Sequence, residues 1–426
     1  NPHRSRADTL MQRILAPCRI ILRQHDFRVL LVCNLLLGLA FSFVGPFFSM
    51  FGTIEVGMSP LLFGVFMTTN SLGAVGLSTA LAHWSDTRYS RRAILLLGSL
   101  CGVAGYTAFA FLRDPLWLTL IGATVLGISS ITFSQLFAYA REVIRGADVP
   151  QEDTPLYMNV FRMFIALAWT IGPAIGAWIM VRYSYRGMFL AAAGVYLVFL
   201  LAVLRYIPAL PPAPAAQAAA RIPLRQALAR ADLLAYFAGF TLVYAAATMG
   251  MMNLPLLILK TLGGSEQQVG IAYCVAPVFE LPFMFFFGML ASKGDQARII
   301  RTGVTLAVVY YALLTLVGAP WQVYPLQILS AAITAVTMGV AITFFQSYLP
   351  DLPGTATNLY SNASRIGSTI GYLLFGTLDT GFSHRTVFHV CAALSLIALV
   401  LMYAYRHPCV VRLGDKRGPD SSPIAG

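Results

Sequence analysis

Charged residues are scarce in this chain. Asp, Glu, Lys and Arg make up 11% of its 426 residues, whereas hydrophobic residues make up 58%. Ordinary soluble domains carry about 25% charged residues, so the composition excludes a typical soluble protein and predicts an integral membrane protein. The net charge of +12 does not indicate nucleic-acid binding, because the basic residues are dispersed between apolar spans and no zinc-finger or RNA-binding motif is present.

Metal-binding and catalytic patterns are absent from the sequence as well. The six cysteines have no metal-like spacing, and most of them lie in apolar spans, where they act as small hydrophobic side chains. No span carries an HExxH pair, a Ser/His/Asp set or clustered acids. We therefore expect no enzyme, no metal and no cofactor.

Apolar runs long enough to cross a membrane, about 20 residues, recur along the chain. Twelve can be identified, at 28–51, 60–82, 93–112, 116–139, 156–181, 187–207, 233–259, 269–290, 299–318, 321–346, 355–378 and 386–405. The first is too long for a signal-peptide core and should remain as a membrane helix. The predicted all-α fold has an N-terminal arm (1–27), a six-helix bundle (28–207), a Pro/Ala-rich linker (208–232), a second six-helix bundle (233–405) and a tail (406–426).

The distribution of Lys and Arg predicts the orientation of the chain. With the N-terminus inside, the inner segments carry 22 basic residues and the outer loops carry five, and the remaining two are Arg162 and Arg365 within helices. Cytoplasmic loops carry the excess of basic residues in membrane proteins. Both termini and the linker are therefore predicted to be cytoplasmic.

The two halves of the chain repeat each other. The pattern L-Y-x-N-x-x-R occurs at 156–162 and again at 359–365, and a shared offset of 206 aligns Gly64 with Gly270 and Arg92 with Arg298. The corresponding helices have the same orientation, fifth with eleventh and second with eighth. This is a parallel repeat, as in the two halves of major facilitator transporters.

Three ionisable side chains are predicted to lie deep in the spans, namely Arg162, Glu280 and Arg365. A charged residue at a helix centre costs at least about 2.5–3.5 kcal/mol, so it normally faces a protein interior or a wet cavity. Burial favours the neutral form of a carboxyl group and a nearby arginine favours the charged form. Glu280 is thus a candidate for proton coupling. In the major facilitator arrangement the fifth span packs near the eighth across the interface between the halves, which makes Arg162 its expected partner. A permanent structural ion pair with Arg162 or Arg365 is the alternative.

Polar side chains at membrane depth provide a candidate binding set. Amides bind hydroxyl groups and aromatic rings stack on sugar faces, so such a set suits a neutral polyhydroxylated solute; hydrogen bonding between helices explains each amide equally well. The candidate substrate-binding residues are Asn70, Gln135, Asn159, Trp169, Asn253, Glu280, Gln346, Asn362 and Arg365.

Two local motifs resemble elements of major facilitator transporters. The loop between the second and third spans contains Asp86, Arg91 and Arg92 and resembles the cytoplasmic motif whose carboxylate and arginines latch the two halves, although basic residues in a turn would look similar. The fifth span contains Gly172-Pro173-x-x-Gly176, which resembles an antiporter motif or, alternatively, simple close packing. The fourth span has no charge, which argues against a drug–proton antiporter.

Longer strings point to one family. Residues 135–142 (QLFAYARE), Arg162 with 167–173 (LAWTIGP), 280–282 (ELP), Phe345-Gln346 and 356–365 (ATNLYSNASR) resemble the bacterial sugar efflux transporter family. The resemblance implies a monomeric exporter of sugars or glycosides in the lipid of the bacterial inner membrane, exchanging its solute for protons and needing only the proton gradient. It also places Arg141, Glu142, Gly172 and Pro173 in gating.

The residue after Phe345-Gln346 departs from the family pattern, because Ser347 stands where an aspartate is expected. A multidrug or small-metabolite exporter of the same fold is the alternative, and a lipid flippase is a third possibility.

Overall fold

The structure is a computed structural model that describes residues 25–87, 90–146, 154–208, 231–349, 353–378 and 383–405. The described chain is helical apart from short turns, as the composition predicts. Residues 1–24 of the arm, 209–230 of the linker and the tail at 406–426 lie outside the described residues, so the boundaries predicted for these segments remain predictions.

The first half of the chain forms helices α1 to α8, with short 3₁₀ and π-helical turns between some of them. In order they are α1 (His25–Val44), a 3₁₀ turn (Gly45–Phe47), α2 (Phe48–Met50), a π-helical turn (Phe51–Glu55), α3 (Pro60–Thr87), α4 (Arg91–Phe111), α5 (Pro115–Ile121), a π-helical turn (Gly122–Leu126), α6 (Gly127–Ser129), α7 (Ile131–Gly146) and α8 (Thr154–Tyr206).

The second half forms helices α9 to α15. They are α9 (Ala231–Leu256), a π-helical turn (Leu257–Thr261), α10 (Glu266–Lys293), α11 (Gln296–Leu316), a 3₁₀ turn (Pro320–Gln322), α12 (Val323–Thr334), a π-helical turn (Ala335–Val340), α13 (Ala341–Tyr348), α14 (Pro353–Leu378) and α15 (His384–Ala404). Short polar side chains cap several helix starts and accept hydrogen bonds from orphan backbone N–H groups. These caps are Ser90, Asp114, Ser265, Asp295 and Ser383.

Ten helical stretches in the described chain are long and apolar enough to cross a membrane. One of them, Val160–Tyr206, contains both the fifth and the sixth predicted spans. Its backbone leaves the helical conformation at Tyr183 (φ −129°, ψ 17°) and Ser184 (φ 60°, ψ −179°), where the sequence predicts a loop. The predicted eleventh span corresponds to α14, which is 26 residues long but is not among the ten. Its many polar residues and Arg365 lower its hydropathy.

Matched backbone features recur in the two halves. The π-helical turn at Phe51–Glu55 has a counterpart at Leu257–Thr261. Corresponding residues of the two turns are 206 positions apart, which is the offset seen in the sequence. Gly57 (φ 75°) and Gly263 (φ 63°) follow these turns at the same offset, in a conformation that glycine adopts without a steric penalty. A duplicated sequence predicts such a match.

Consecutive membrane-length stretches run in opposite directions, so their ends lie on two faces. We call the end near residues 87, 146, 206, 231, 293 and 348 the linker face, and the opposite end the far face. At the linker face Arg92 donates a hydrogen bond to the Leu204 carbonyl (2.8 Å). At the far face the Arg113 guanidinium pairs with Glu55 (3.0 Å).

The halves meet mainly through two helix pairs, α8 with α10 and α3 with α14, and α9 also contacts α2 and the 3₁₀ turn before it. The expected approach of the fifth and eighth spans is therefore present. Both contacts use glycines toward the far face. A Cβ atom on Gly64 would lie 2.8 Å from the Gly376 Cα, and one on Gly270 would lie 2.9 Å from the Pro173 carbonyl oxygen, so only glycine permits such close approach of the backbones.

The apolar core has a different extent at the two faces. Toward the far face a single cluster of buried side chains includes both halves, and the rings of Phe63 and Phe375 lie 6.0 Å apart across the boundary. Toward the linker face, the buried side chains of the second half form a cluster of their own, including Tyr236, Phe344 and Tyr360. The halves are therefore packed together at the far face and separated at the linker face.

Candidate functional site

A cavity of about 430 Å³ lies between the halves. Its walls come from α3, from α7 with the residue that precedes it, and from α14, and its volume falls within the range of small-molecule sites. The lining residues are Ala74, Val75, Ser78, Ser130, Phe133, Ser134, Phe137 and Arg365. Since α14 belongs to the second half, the cavity exists only because both halves contribute to it.

Three hydroxyl groups line the wall of the first half. Ser78 donates to the Val75 carbonyl (3.2 Å), Ser130 to the Gly127 carbonyl (2.7 Å) and Ser134 to the Ile131 carbonyl (3.0 Å). Because each hydroxyl hydrogen is used within its own helix, the oxygen lone pairs remain available. These serines can accept hydrogen bonds from the hydroxyl groups of a bound solute.

Two aromatic rings form the next part of the wall. Phe133 and Phe137 are one helical turn apart and their rings are stacked, with centroids 5.5 Å apart and planes 25° apart. The edge of Phe137 also meets the buried ring of Phe161 on α8 at 4.9 Å. This bracing fixes the rings as a flat apolar surface beside the serines.

Arg365 brings a positive charge into the cavity from the opposite wall. It lies on the exposed side of α14, because the other side of the helix packs on α9. Gly371 allows that packing, since a Cβ atom there would lie 2.6 Å from the Ala245 carbonyl oxygen. The small residues of α14 thus direct Arg365 toward the cleft.

Arg162 occupies a similar position on α8. It is exposed and lies close enough to Arg141 on α7 and Tyr360 on α14 to interact electrostatically with both. The Tyr360 hydroxyl is held 2.6 Å from the Tyr244 hydroxyl and donates to the Thr337 carbonyl at 3.0 Å. Because its neighbours come from both halves, Arg162 faces the cleft between them.

The expected ion pair between Arg162 and Glu280 is not formed in this conformation. Glu280 is partly buried on α10, and among the described residues it has neither an ion-pair partner nor a hydrogen-bond partner. Its helix packs on α8, but the closest approach of the two helices is at Gly270 and Pro173, nearer the far face. A carboxyl group left without a fixed partner remains available to bind a proton or a solute.

Two of the predicted amides have structural partners at some distance along the chain. Asn253 is fully buried, donates to the His384 backbone carbonyl (2.7 Å) and lies 3.1 Å from the His384 Nδ1 atom, which ties α9 to α15. Gln346 donates to Thr357 Oγ1 (3.1 Å) and ties α13 to α14. Hydrogen bonding between helices, the alternative left open by the sequence, describes both residues in this conformation.

The remaining predicted binding residues are placed differently. Asn70 lies one turn from Ala74 on α3, against Gly122, and its Oδ1 atom is buried without a partner. Asn362 is partly buried on α14, and Trp169 is partly buried against Gly45. The side chain of Asn159 lies outside the described residues. Asn70 therefore lies one helical turn before the cavity wall on α3.

The predicted gate residues at the linker face form their ion pair and hydrogen bonds with other residues of the first half. The Arg91 Nε atom pairs with Glu142 at 2.6 Å, and its Nη1 donates to the buried Gln135 at 3.1 Å, so Gln135 supports the ion pair and is not part of the cavity wall. Arg92 binds the Leu204 carbonyl, and Arg141 is exposed. The side chain of Asp86 lies outside the described residues, so its latch role stays a prediction.

The Gly172-Pro173 motif packs α8 against α1. Gly172 contacts Ser42, and a Cβ atom on Gly176 would lie 2.9 Å from the Phe43 Cα atom. The close-packing interpretation of this motif is therefore satisfied, and gating by the same residues stays a prediction.

Hydroxyl groups also close the far side of the cavity. Ser71 on α3 and Thr369 on α14 lie 3.3 Å apart, which is a hydrogen bond between the two halves. Sequence reasoning missed this pair and the cavity serines and phenylalanines, because in an apolar helix they resemble packing residues. The spacing of Asn70, Ala74 and Ser78 at intervals of four, on one helix face, is the signal that could have indicated them.

Two helical halves that share a core at one face and enclose a cavity toward the other define a membrane transporter. The family model described as Major Facilitator Superfamily matches residues 30–372 and 236–423, and the chain belongs to this superfamily. It is therefore a multi-pass membrane transporter and not an enzyme.

Its curated relatives are named for sugar efflux. The chain is 37% identical over 380 residues to the "Putative sugar efflux transporter" of Deinococcus radiodurans, covering 88% of this chain and 96% of that protein. It is 29% identical over 376 residues to Sugar efflux transporter A of Dickeya chrysanthemi, covering 88% and 94%. The resemblance to the sugar efflux family is thus confirmed.

Solved transporter structures share the fold. The nucleoside transporter NupG matches with a TM-score of 0.73 at 13% identity, over 90% of this chain and 99% of that one. A POT family transporter in complex with 5-aminolevulinic acid matches with a TM-score of 0.69 at 14% identity, over 89% and 94%. At these identities the likeness concerns the fold alone.

Proposed function

We propose that this protein exports sugars or glycosides across the bacterial inner membrane by proton antiport. The chain crosses the membrane twelve times as two parallel-repeat bundles of six helices, with both termini in the cytoplasm. It works as a monomer in the lipid bilayer and uses only the proton gradient. The names of its relatives support the substrate class, and the matched turns at Phe51–Glu55 and Leu257–Thr261 support the repeat.

The cavity is the observation that carries this proposal. It joins hydroxyl groups, stacked rings and a guanidinium on the two walls of one cleft, which are the groups that bind a polyhydroxylated solute. The cleft opens toward the linker face, which the excess of Lys and Arg predicts to be cytoplasmic. In the proposed cycle, this conformation is the state in which the exporter takes up its solute from inside the cell.

Export then requires the halves to separate at the far face and to close together at the linker face. The contacts at the far face are the Ser71–Thr369 hydrogen bond and the glycine approaches of α3 to α14 and of α8 to α10. Rocking the halves breaks these contacts and closes the linker face, so the solute is released outside. Asp86, Arg91, Arg92, Arg141 and Glu142 line or support the linker-face gate, and Gly172 and Pro173 provide the helix contact that moves.

Glu280 is the proposed coupling residue. It is the one acid deep in a spanning helix, it has no fixed partner among the described residues, and the helix that carries it contains Pro277 and Pro282. Arg162 lies in the same interface between halves and approaches Glu280 as the halves rock. In this way the carboxyl group gains and loses its proton in different states of the cycle.

Transport by the purified protein tests this function. Proteoliposomes are given a pH gradient, and accumulation of radiolabelled glucose, a disaccharide, an aromatic glucoside and a uronide is measured against protein-free liposomes. We expect accumulation of at least one of these solutes, abolished by a protonophore. Transport of lipophilic cations with no sugar movement would instead identify a multidrug exporter, and movement of lipid head groups would identify a flippase.

A further inference from the structure

The charged residue among those that line the cavity is an arginine, and two further arginines lie near it. Arg365 lines the cavity from α14, Arg162 faces it from α8, and Arg141 interacts electrostatically with Arg162 from α7. All three side chains are exposed. In the described part of the chain, no carboxylate lines this cavity.

Three arginines elsewhere in the molecule are held in ion pairs with carboxylates. Arg91 pairs with Glu142 at 2.6 Å, Arg113 with Glu55 at 3.0 Å and Arg301 with Asp295 at 3.8 Å. By contrast, Arg141, Arg162 and Arg365 have no carboxylate partner among the described residues. Glu142, the residue after Arg141, is already neutralised by Arg91.

The three guanidinium groups follow the wall of the cavity toward its opening. Arg141 continues the helix face of Phe133 and Phe137, because the three residues are spaced by four. Arg162 lies close enough to Arg141 to interact electrostatically with it. A solute that enters from the linker face therefore meets Arg141 and Arg162 before it reaches the serines, the rings and Arg365.

Uncompensated guanidinium groups in a cleft concentrate anions and bind them specifically. Low-dielectric walls focus the field of like charges, and the planar fork of arginine matches carboxylate and phosphate oxygens in pairs. A neutral sugar leaves the charges of Arg141 and Arg365 unpaired when the gate closes and water is excluded, whereas Arg162 approaches Glu280 in that movement. An anionic solute neutralises them.

We propose that the transported solute is a sugar or glycoside that carries a carboxylate or phosphate group. The anionic group binds Arg365, and Arg162 and Arg141 guide it there, while the sugar hydroxyls bind Ser78, Ser130 and Ser134 and the apolar face lies on Phe133 and Phe137. This inference rests on the proposed function, since it specifies the class of sugar that the same cavity takes.

Matched ligands that differ by one anionic group test the inference. Binding to the purified full-length protein in detergent is measured by isothermal titration calorimetry for phenyl glucoside and phenyl glucuronide, and for glucose and glucose 6-phosphate. A charge-assisted pair with arginine should make the anionic member bind about tenfold more tightly or better. The two pairs distinguish a carboxylate from a phosphate, and the preference should weaken as salt is added.

Substitutions test whether the preference for the anionic ligand comes from Arg365. Arg365→Gln should bring the two members of a pair within about twofold of each other, whereas Arg365→Lys should retain a preference for the anion because it keeps the charge. Arg182→Gln is the control, because this exposed arginine lies near the far-face bend of α8 and should leave both affinities unchanged.

The outcomes separate this inference from the proposed function. Binding of the neutral sugar as tightly as the anion overturns the inference and leaves sugar export intact. Failure of every sugar, neutral or anionic, to bind overturns the proposed function as well. An anion preference that survives unchanged in Arg365→Gln refutes the site, even if the solute class is right.

Discussion

Replacement of Gly64 by alanine perturbs the contact that closes the far face. The Cβ atom of alanine would lie 2.8 Å from the Gly376 Cα and 2.9 Å from the Tyr372 carbonyl oxygen. Both neighbours are backbone atoms of α14, so neither can move aside by rotating a side chain. Since carbon contacts are optimal at about 3.5–4.0 Å, α3 and α14 must separate by at least about 0.5 Å.

The energy of this overlap determines how the conformational equilibrium shifts. Adding a methyl group to a well-packed contact costs about 1–3 kcal/mol. The penalty applies to the state that is closed at the far face and not to states in which α3 and α14 are apart. The ratio of the closed state to the open state should therefore fall about 5- to 150-fold.

Chemical labelling measures this shift. A cysteine placed at Ser71, at the hydrogen bond between the halves, is labelled with a membrane-impermeant maleimide from the far face in a background without native cysteines. Gly64→Ala should label faster than the parent protein and should transport more slowly. The matched control is Gly76→Ala on the same helix, where no atom lies within 4 Å of an added Cβ. Equal labelling rates for Gly64→Ala and Gly76→Ala would refute the reasoning.

Three further substitutions distinguish structural roles from binding roles. Asn253→Ala leaves the His384 backbone carbonyl without its buried donor and should lower stability by about 1–3 kcal/mol, measured by thermal unfolding, with solute affinity unchanged; a loss of affinity without a loss of stability would restore Asn253 to the binding site. Arg91→Gln and Glu142→Gln, alone and together, should show a coupling energy of about 1 kcal/mol in a double-mutant cycle, because the pair is partly buried and at 2.6 Å. A coupling near zero would contradict a role for this pair in stabilising the linker face.

The large-scale arrangement follows from patterns that are local in the sequence. Spans are encoded by the length of apolar runs, and the repeat is encoded by matched residues such as Gly64 and Gly270, so the helical fold could be predicted. The approach of α8 to α10 was predictable from the major facilitator arrangement that the repeat resembles. Sequence periodicity also indicates that Arg365 is special, because a charge in an apolar helix needs a wet surface.

The partners of individual polar side chains could not be predicted in the same way. Asn253 binds His384, which is 131 positions away, and its choice of partner is decided by how α9 and α15 pack. Gln135 was assigned to the solute for its depth, yet Arg91 reaches it from the start of α4. Serines of the cavity, such as Ser134, look like ordinary helix residues until α14 is placed opposite them.

The expected pairing of Arg162 with Glu280 illustrates a separate limit. Sequence depth places both residues in the interface between the halves, but it does not specify a conformational state. In the state open toward the linker face the two residues are unpaired, and the proposed cycle brings them together only when the halves rock. The residues that contact each other in each state depend on how the halves move, and the sequence does not specify that movement.

Sugar-driven proton movement is the most direct test of the central claim, exchange of solute for protons through Glu280. Proteoliposomes containing a trapped pH dye are loaded with a solute that the protein binds, then diluted into solute-free buffer at the same pH with the membrane potential clamped. Outward movement of solute should carry protons inward and acidify the lumen for the wild type and for Glu266→Gln, a control on the same helix. Glu280→Gln should show no acidification, and acidification by Glu280→Gln at the wild-type rate would contradict the account.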